Sequence, residues 1–170
     1  MMNDYINTAE RGEQAMIKDS GDRREYATGA VRDMAEGKGR CDLLPLDVAA
    51  MVLPYGAILR LISDFQRSED TRFLYEVLDH FGKVRDWDEP TMLLEVSKHM
   101  EEGAKKYGER NWEKGLPVNC YIDSAVRHYL KWRRGDNDEP HDRAFCWNVM
   151  CCIWTIMHKS DKGCEQCANT

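Results

Sequence analysis

Apolar positions recur at spacings of three and four through the second half of the chain, the mark of helices with one buried face. From Thr91 to Tyr107 the residues Leu93, Val96, Met100, Ala104 and Tyr107 share a side. From Tyr121 to Arg134 the inward set is Ile122, Ala125, Val126, Tyr129 and Trp132, and Gly135 provides a stop. A third helix is expected from Pro140, a residue suited to a first helical position, to about His158. Phe145, Cys146, Trp147, Val149, Met150, Cys151, Cys152, Ile153, Trp154, Ile156 and Met157 cover most of its circumference, so it should be buried.

The first half is less regular. Residues 1–27 are polar without a periodic stripe and read as a loosely ordered arm. Thr28 to Pro45 is rich in glycine and charge, which opposes regular structure. A helical stretch then runs through Ala49, Val52, Ile58 and Ile62, bent or interrupted near Pro54 and Gly56. Another helix is expected from Thr71 to Phe81, followed by a polar linker, Gly82 to Pro90. No alternating run marks a strand. The pattern predicts an all-α bundle of four to five helices over residues 28–158, with a polar cysteine-containing tail at 159–170.

Composition narrows the function classes. Twenty-four basic against thirty acidic residues give a net charge of −6, which argues against a duplex nucleic-acid binder. No stretch approaches the ~20 apolar residues of a membrane span. The opening MMNDYINTAERGEQ lacks the apolar core of a signal peptide. Seven cysteines, an odd number, fit reduced thiols, so a cytoplasmic location is expected. Cys164 and Cys167 form one CxxC, weak evidence for zinc without a second pair.

Candidate chemistry sits on the three long helices. His141, Asn148 and Thr155 follow at intervals of seven and make a polar line on an otherwise apolar helix. Buried, they need partners: either an internal hydrogen-bond network or a ligand in a cleft. Asp123 and Arg127 are spaced for an ion pair, while Ser124, His128 and Lys131 share another face. His128 and His141, with Asp136 and Asp138 in the short loop between, are suited to a divalent metal between bundle helices. Glu95, Glu102 and Glu109 form either a solvated stripe or, at Glu102 beside Gly103 and Ala104, an approach point for a ligand. Lys105, Lys106 and Arg110 lie among Tyr107, Asn111 and Trp112, a mixture that suits a nucleotide.

GKGRCDLLP (37–45), EEGAKKYGERNWEKG (101–115), DSAVRHYLKWRRGD (123–136) and HDRAFCWN (141–148) together resemble the phage-associated dATP/dGTP diphosphohydrolase family, N-terminal type. That family is related to the all-α, MazG-like nucleotide pyrophosphohydrolases. The resemblance covers about residues 28 to 157. It implies Mg²⁺- or Mn²⁺-dependent cleavage of a purine deoxynucleoside triphosphate to monophosphate and pyrophosphate, often within a homo-oligomer. The superfamily's paired pattern, ExxE on one helix and ExxD on the next, is absent from the three long helices. Under the resemblance, Glu102, Asp123 and Asp138 are the expected metal ligands, and Glu102, His128 and His141 the catalytic groups. Arg40, Asp42, Lys105, Lys106, Tyr107, Asn111, Trp112, Arg127, Lys131 and Asn148 are the expected substrate contacts. Two other classes stay open: a non-catalytic nucleotide-binding sponge, and a helical adaptor that binds a host protein through Met- and Trp-rich faces.

Overall fold

The computed structural model describes residues 21–159. Among them are a two-stranded hairpin, β1 (Arg23–Glu25) and β2 (Val31–Asp33), and six helices. The helices are α1 (Leu46–Val52), α2 (Ala57–Ser68), α3 (Arg72–Arg85), α4 (Glu89–Tyr107), α5 (Val118–Arg134) and α6 (His141–Lys159). Short 3-10 turns lie at Cys41–Leu43 and Asn111–Lys114. The helical class matches the pattern read from the chain. The Cys164–Cys167 pair and most of the polar arm lie outside the described residues.

Helix α6 is the centre of the bundle. Its Ala144, Phe145, Cys146, Val149, Cys151, Cys152 and Ile153 are buried, and α5, α4 and α3 all pack on it. Phe81, Tyr129, Trp132 and Phe145 form a cluster of edge and tilted ring contacts between α3, α5 and α6. Most of the apolar circumference of α6 is thus covered within one chain, with Met157 exposed. Exposed apolar side chains gather instead at Leu43, Val48, Met51, Val52 and Tyr55.

The interruption expected near Pro54 and Gly56 is present, and helix boundaries elsewhere differ from the sequence reading for local reasons. The apolar stretch after Pro45 is two helices, because the turn at Pro54–Gly56 separates α1 from α2. Helix α3 runs on to Arg85, past Gly82, and Asp86 ends it in the left-handed conformation at φ 57°. Gly82 is a packing glycine: a Cβ there would come within 3.1 Å of the Trp87 carbonyl oxygen and of Met92 Cε. Helix α4 starts earlier than Thr91 because Asp88 caps it, its Oδ1 accepting from the Thr91 amide at 2.8 Å. Its inward face is Met92, Val96 and His99, while Leu93 is exposed. Val96 belongs to both readings and Met100 packs against the core, but His99 scores as polar, so hydropathy passes it over in favour of the exposed Leu93.

The hairpin is the main departure from an all-helical expectation. Strands of three residues are too short to display alternation. Side chains of the helical body fasten them. Asn111 Nδ2 donates to the Val31 carbonyl at 2.9 Å, and its Oδ1 accepts from the Val31 amide at 3.0 Å. Asp33 takes the Lys106 ammonium at 2.6 Å and the Tyr107 hydroxyl at 2.9 Å. Lys106 and Asp33 side chains are only 6% and 16% exposed. Asp33→Ala therefore should destabilise by about 3 kcal/mol, measurable by urea unfolding. A loss under 1 kcal/mol would show that the hairpin is not held by this pair.

Candidate functional site

The hairpin, α4, α5 and the loop before α6 enclose an open cleft of about 1440 Å³. One short connection builds its most reactive corner. Gly135, at φ 86°, ends α5, with Gly135 N bonded to the Trp132 carbonyl and Asp136 N to that of Lys131. The chain then turns through Asp136–Pro140, and α6 starts at His141 running back along α5. That reversal sets His128 of α5 against His141.

The two imidazoles meet Nδ1 to Nδ1 at 3.0 Å. Glu139 Oε1 lies 3.8 Å from His128 Nδ1 and 3.6 Å from His141 Nδ1. Atoms spaced this way share a point about 2.0 Å from each, which is a metal–ligand bond length. On its other side His141 Nε2 sits 2.8 Å from Asp138 Oδ1, and Lys131 Nζ is 3.2 Å from Asp138 Oδ2. A carboxylate at Nε2 fixes the proton there and turns the Nδ1 lone pair towards His128 and Glu139. Burial, with His141 next in order, holds His128 well below the usual histidine range, so His128 is neutral. Two imidazoles and a carboxylate suit Mn²⁺, which takes imidazole nitrogen more readily than Mg²⁺ with its oxygen ligands. Asp136, Asp138 and His141 form an overlapping group, in which Asp136 is already paired with Arg134 at 2.5 Å.

Cations line the same cleft. Lys38, Arg127, Lys131 and Arg32 face it. Lys38 is held below the usual lysine range by burial, and Arg127 and Lys106 add to that lowering. Crowded cations of this kind gain when phosphate oxygens enter among them. Trp147, Tyr107 and Trp112 supply rings along the walls.

A model of the dATP/dGTP diphosphohydrolase family, N-terminal, matches residues 64–165. The chain belongs to that family. No curated protein and no solved structure gives a match. The family segment carries His99, Glu102, Asp123, His128, Glu139 and His141, whereas Arg32, Asp33, Lys38, Arg40 and Asp42 lie before it.

The residues singled out from sequence divide sharply by position. His128, His141 and Asp138 come together as described, with Lys131 beside them. Glu102 stands apart from that cluster: its carboxylate receives the guanidinium of Arg143, which is 2% exposed. Asp123 is also engaged, accepting from the Cys41 amide at 2.6 Å on Oδ1 and pairing with Arg127 through Oδ2. Arg127 reaches on to the Lys38 and Gly39 carbonyls at 3.3 Å each, so the pair shapes the 38–42 loop. Arg40 and Asp42 bind each other at 2.7 and 2.6 Å on the cleft rim. Lys105 is exposed and paired with Glu101, outside the cleft lining. Asn111 fastens the hairpin, and Trp112 packs edge-on to Trp154 at 5.0 Å. The polar line on α6 is split in use: Asn148 lines the cleft and accepts from Arg32 at 2.9 Å. Thr155 is satisfied internally by Tyr121 Oη at 3.2 Å.

Sequence reasoning missed Glu139, Lys38, Arg32 and His99. Glu139 had a legible signal, two residues before His141 in the same short loop. His99 had none, because a polar side chain beside the apolar stripe of α4 carries no mark of burial.

Burial first, then the cations Arg143, Arg32 and Lys106, hold His99 down to about 3. The folded pKa lies below the unfolded value, so the unfolded chain takes the proton first. His99 stability is intact above about pH 6.5 and is lost as pH falls towards 3. Between pH 6.5 and 5 this residue alone should lower unfolding free energy by about 2 kcal/mol. Urea unfolding of wild type and His99→Gln at both pH values checks it; equal pH slopes would contradict it.

Proposed function

We propose that this chain hydrolyses purine deoxynucleoside triphosphates, dATP and dGTP, to the monophosphate and pyrophosphate, using a divalent cation at His128, Glu139 and His141. The supporting observation is the convergence of three ligand atoms on one metal-sized position beside a cation-lined cleft, in a chain of this family. The cation would neutralise phosphate oxygens and lower the pKa of an attacking water. Lys38, Arg127 and Lys131 would hold the phosphates and stabilise charge as pyrophosphate departs. Asp138 keeps His141 in the ligating tautomer, and the hairpin closes one wall through Arg32 and Asp33. Mn²⁺ suits the donor set, with Mg²⁺ as a weaker alternative.

Each of the four deoxynucleoside triphosphates, incubated with Mn²⁺ or Mg²⁺ and separated by ion-exchange chromatography, tests the reading. Monophosphate from dATP and dGTP, with Mn²⁺ faster, is the expected result. A homo-oligomer belongs to the same proposal and is read from light scattering at micromolar concentration.

A second reading has its own support. Glu102 and Asp123, two carboxylates in metal-suited positions of the sequence, both hold arginines. A protein that captures nucleotides without cleaving them needs the cations and rings and no fuller metal site. Nucleotide binding without pyrophosphate release under any divalent ion would select it.

A further inference from the structure

Away from the metal cluster, the cleft lining includes a packed imidazole, His99, with one ring nitrogen unpaired. His99 is 9% exposed, and among the described residues its Nδ1 is buried without a hydrogen-bond partner. Leaving such an atom unsatisfied costs about 1–3 kcal/mol, so a partner from outside the chain is the natural complement. The neutral ring fixes no tautomer at that nitrogen. Nδ1 can therefore present either an N–H or a lone pair.

What stands beside His99 is flat. The Trp147 ring lies 5.3 Å away, half-buried and lining the cleft, its Nε1 set 3.1 Å from Met100 Sδ. The Arg32 guanidinium lies 5.4 Å over the same indole and is steadied by Asn148 Oδ1 at 2.9 Å. Indole and guanidinium planes are surfaces on which bases stack. A two-ring base covers more of such a wall than a one-ring base.

We propose that His99, Trp147 and Arg32 form the nucleobase subsite, with His99 Nδ1 pairing to the substituent at position six of a purine. With adenine, Nδ1 accepts from the exocyclic amino group; with guanine, the other tautomer donates to the carbonyl oxygen. One uncommitted imidazole thus serves both purines. This subsite rests on the nucleotide reading of the cleft given above.

The test is calorimetric binding, with Mn²⁺ present, of three probes: the α,β-methylene analogues of dATP and dGTP, and inorganic tripolyphosphate. His99→Leu should weaken both nucleotide analogues roughly 10- to 100-fold, the size of one lost hydrogen bond, while tripolyphosphate changes less than about twofold. His99→Gln, whose amide offers both an N–H and a carbonyl, should recover most of the affinity for both. The unliganded His99→Leu protein should melt at or above the wild-type temperature, because the variant removes an unsatisfied buried atom. Unchanged nucleotide binding by His99→Leu, or an equal loss for tripolyphosphate, overturns the subsite and leaves the nucleotide reading standing. If His99→Leu does not fold, failure of His99→Gln to hold both purines overturns it instead. Wild type that binds neither analogue overturns both proposals.

Discussion

His141→Ala is expected to lower dATP and dGTP turnover by about 10²-fold or more, the size of a lost electrostatic catalytic group, and to weaken Mn²⁺ binding in parallel. His141 supplies one corner of the ligand triangle and, through Nε2, is the residue that Asp138 orients. Because it is 2% exposed, its loss also removes a buried hydrogen bond, so folded fraction is checked by circular dichroism. His158→Ala is the control. That histidine is exposed and stacks on Trp154 at 4.6 Å, with Nδ1 on the Trp154 carbonyl, outside the cleft lining. Asp138→Asn should fall between the two, with metal affinity down about 10- to 100-fold through misorientation of His141. Folded His141→Ala that binds Mn²⁺ and turns over like His158→Ala would remove the cluster from the reaction.

Glu102→Ala is expected to act on stability rather than on the metal. Glu102 joins α4 to α6 by pairing with Arg143, whose side chain is 2% exposed against 17% for the glutamate. Removing the carboxylate leaves a positive charge in the deeper position, at about 3–5 kcal/mol, or a melting point lower by roughly 10 °C in a domain of this size. Arg143→Met should cost less, since the remaining carboxylate lies nearer water. Differential scanning calorimetry gives both values, and Mn²⁺ titration of the folded variant should match wild type. A variant that keeps its melting temperature yet loses Mn²⁺ affinity would instead return Glu102 to the metal site.

The helical architecture was legible because α4 and α5 are long and periodic, and α6 is a long apolar run opened by Pro140. Gly135 and Pro140 marked the turn between α5 and α6, and that turn alone brings His128 to His141. Sites formed by such a short reversal can be read from linear spacing. Arg32 and Asp33 could not be read this way. They reach α6 and α4 across 116 and 73 positions, from strands too short to carry a pattern. Asp123 and Glu102 illustrate a different limit. A carboxylate on a helix looks the same in sequence whether it meets a cation from a ligand or one from an arginine: the spacing of four already offered Arg127 to Asp123, whereas only the fold supplied Arg143 to Glu102. His99 was hidden because a polar side chain beside the apolar stripe of α4 carries no mark of burial, and hydropathy passes it over in favour of the exposed Leu93.

Hydrolysis of dATP in ¹⁸O-labelled water with Mn²⁺, followed by phosphorus NMR of the products, tests the central claim most directly. The expected result is dAMP and pyrophosphate, with the label on the α-phosphate of dAMP, as water attack beside the His128–Glu139–His141 cluster requires. Label in pyrophosphate or in free phosphate, dADP as product, or no product at all while nucleotide remains bound would contradict it.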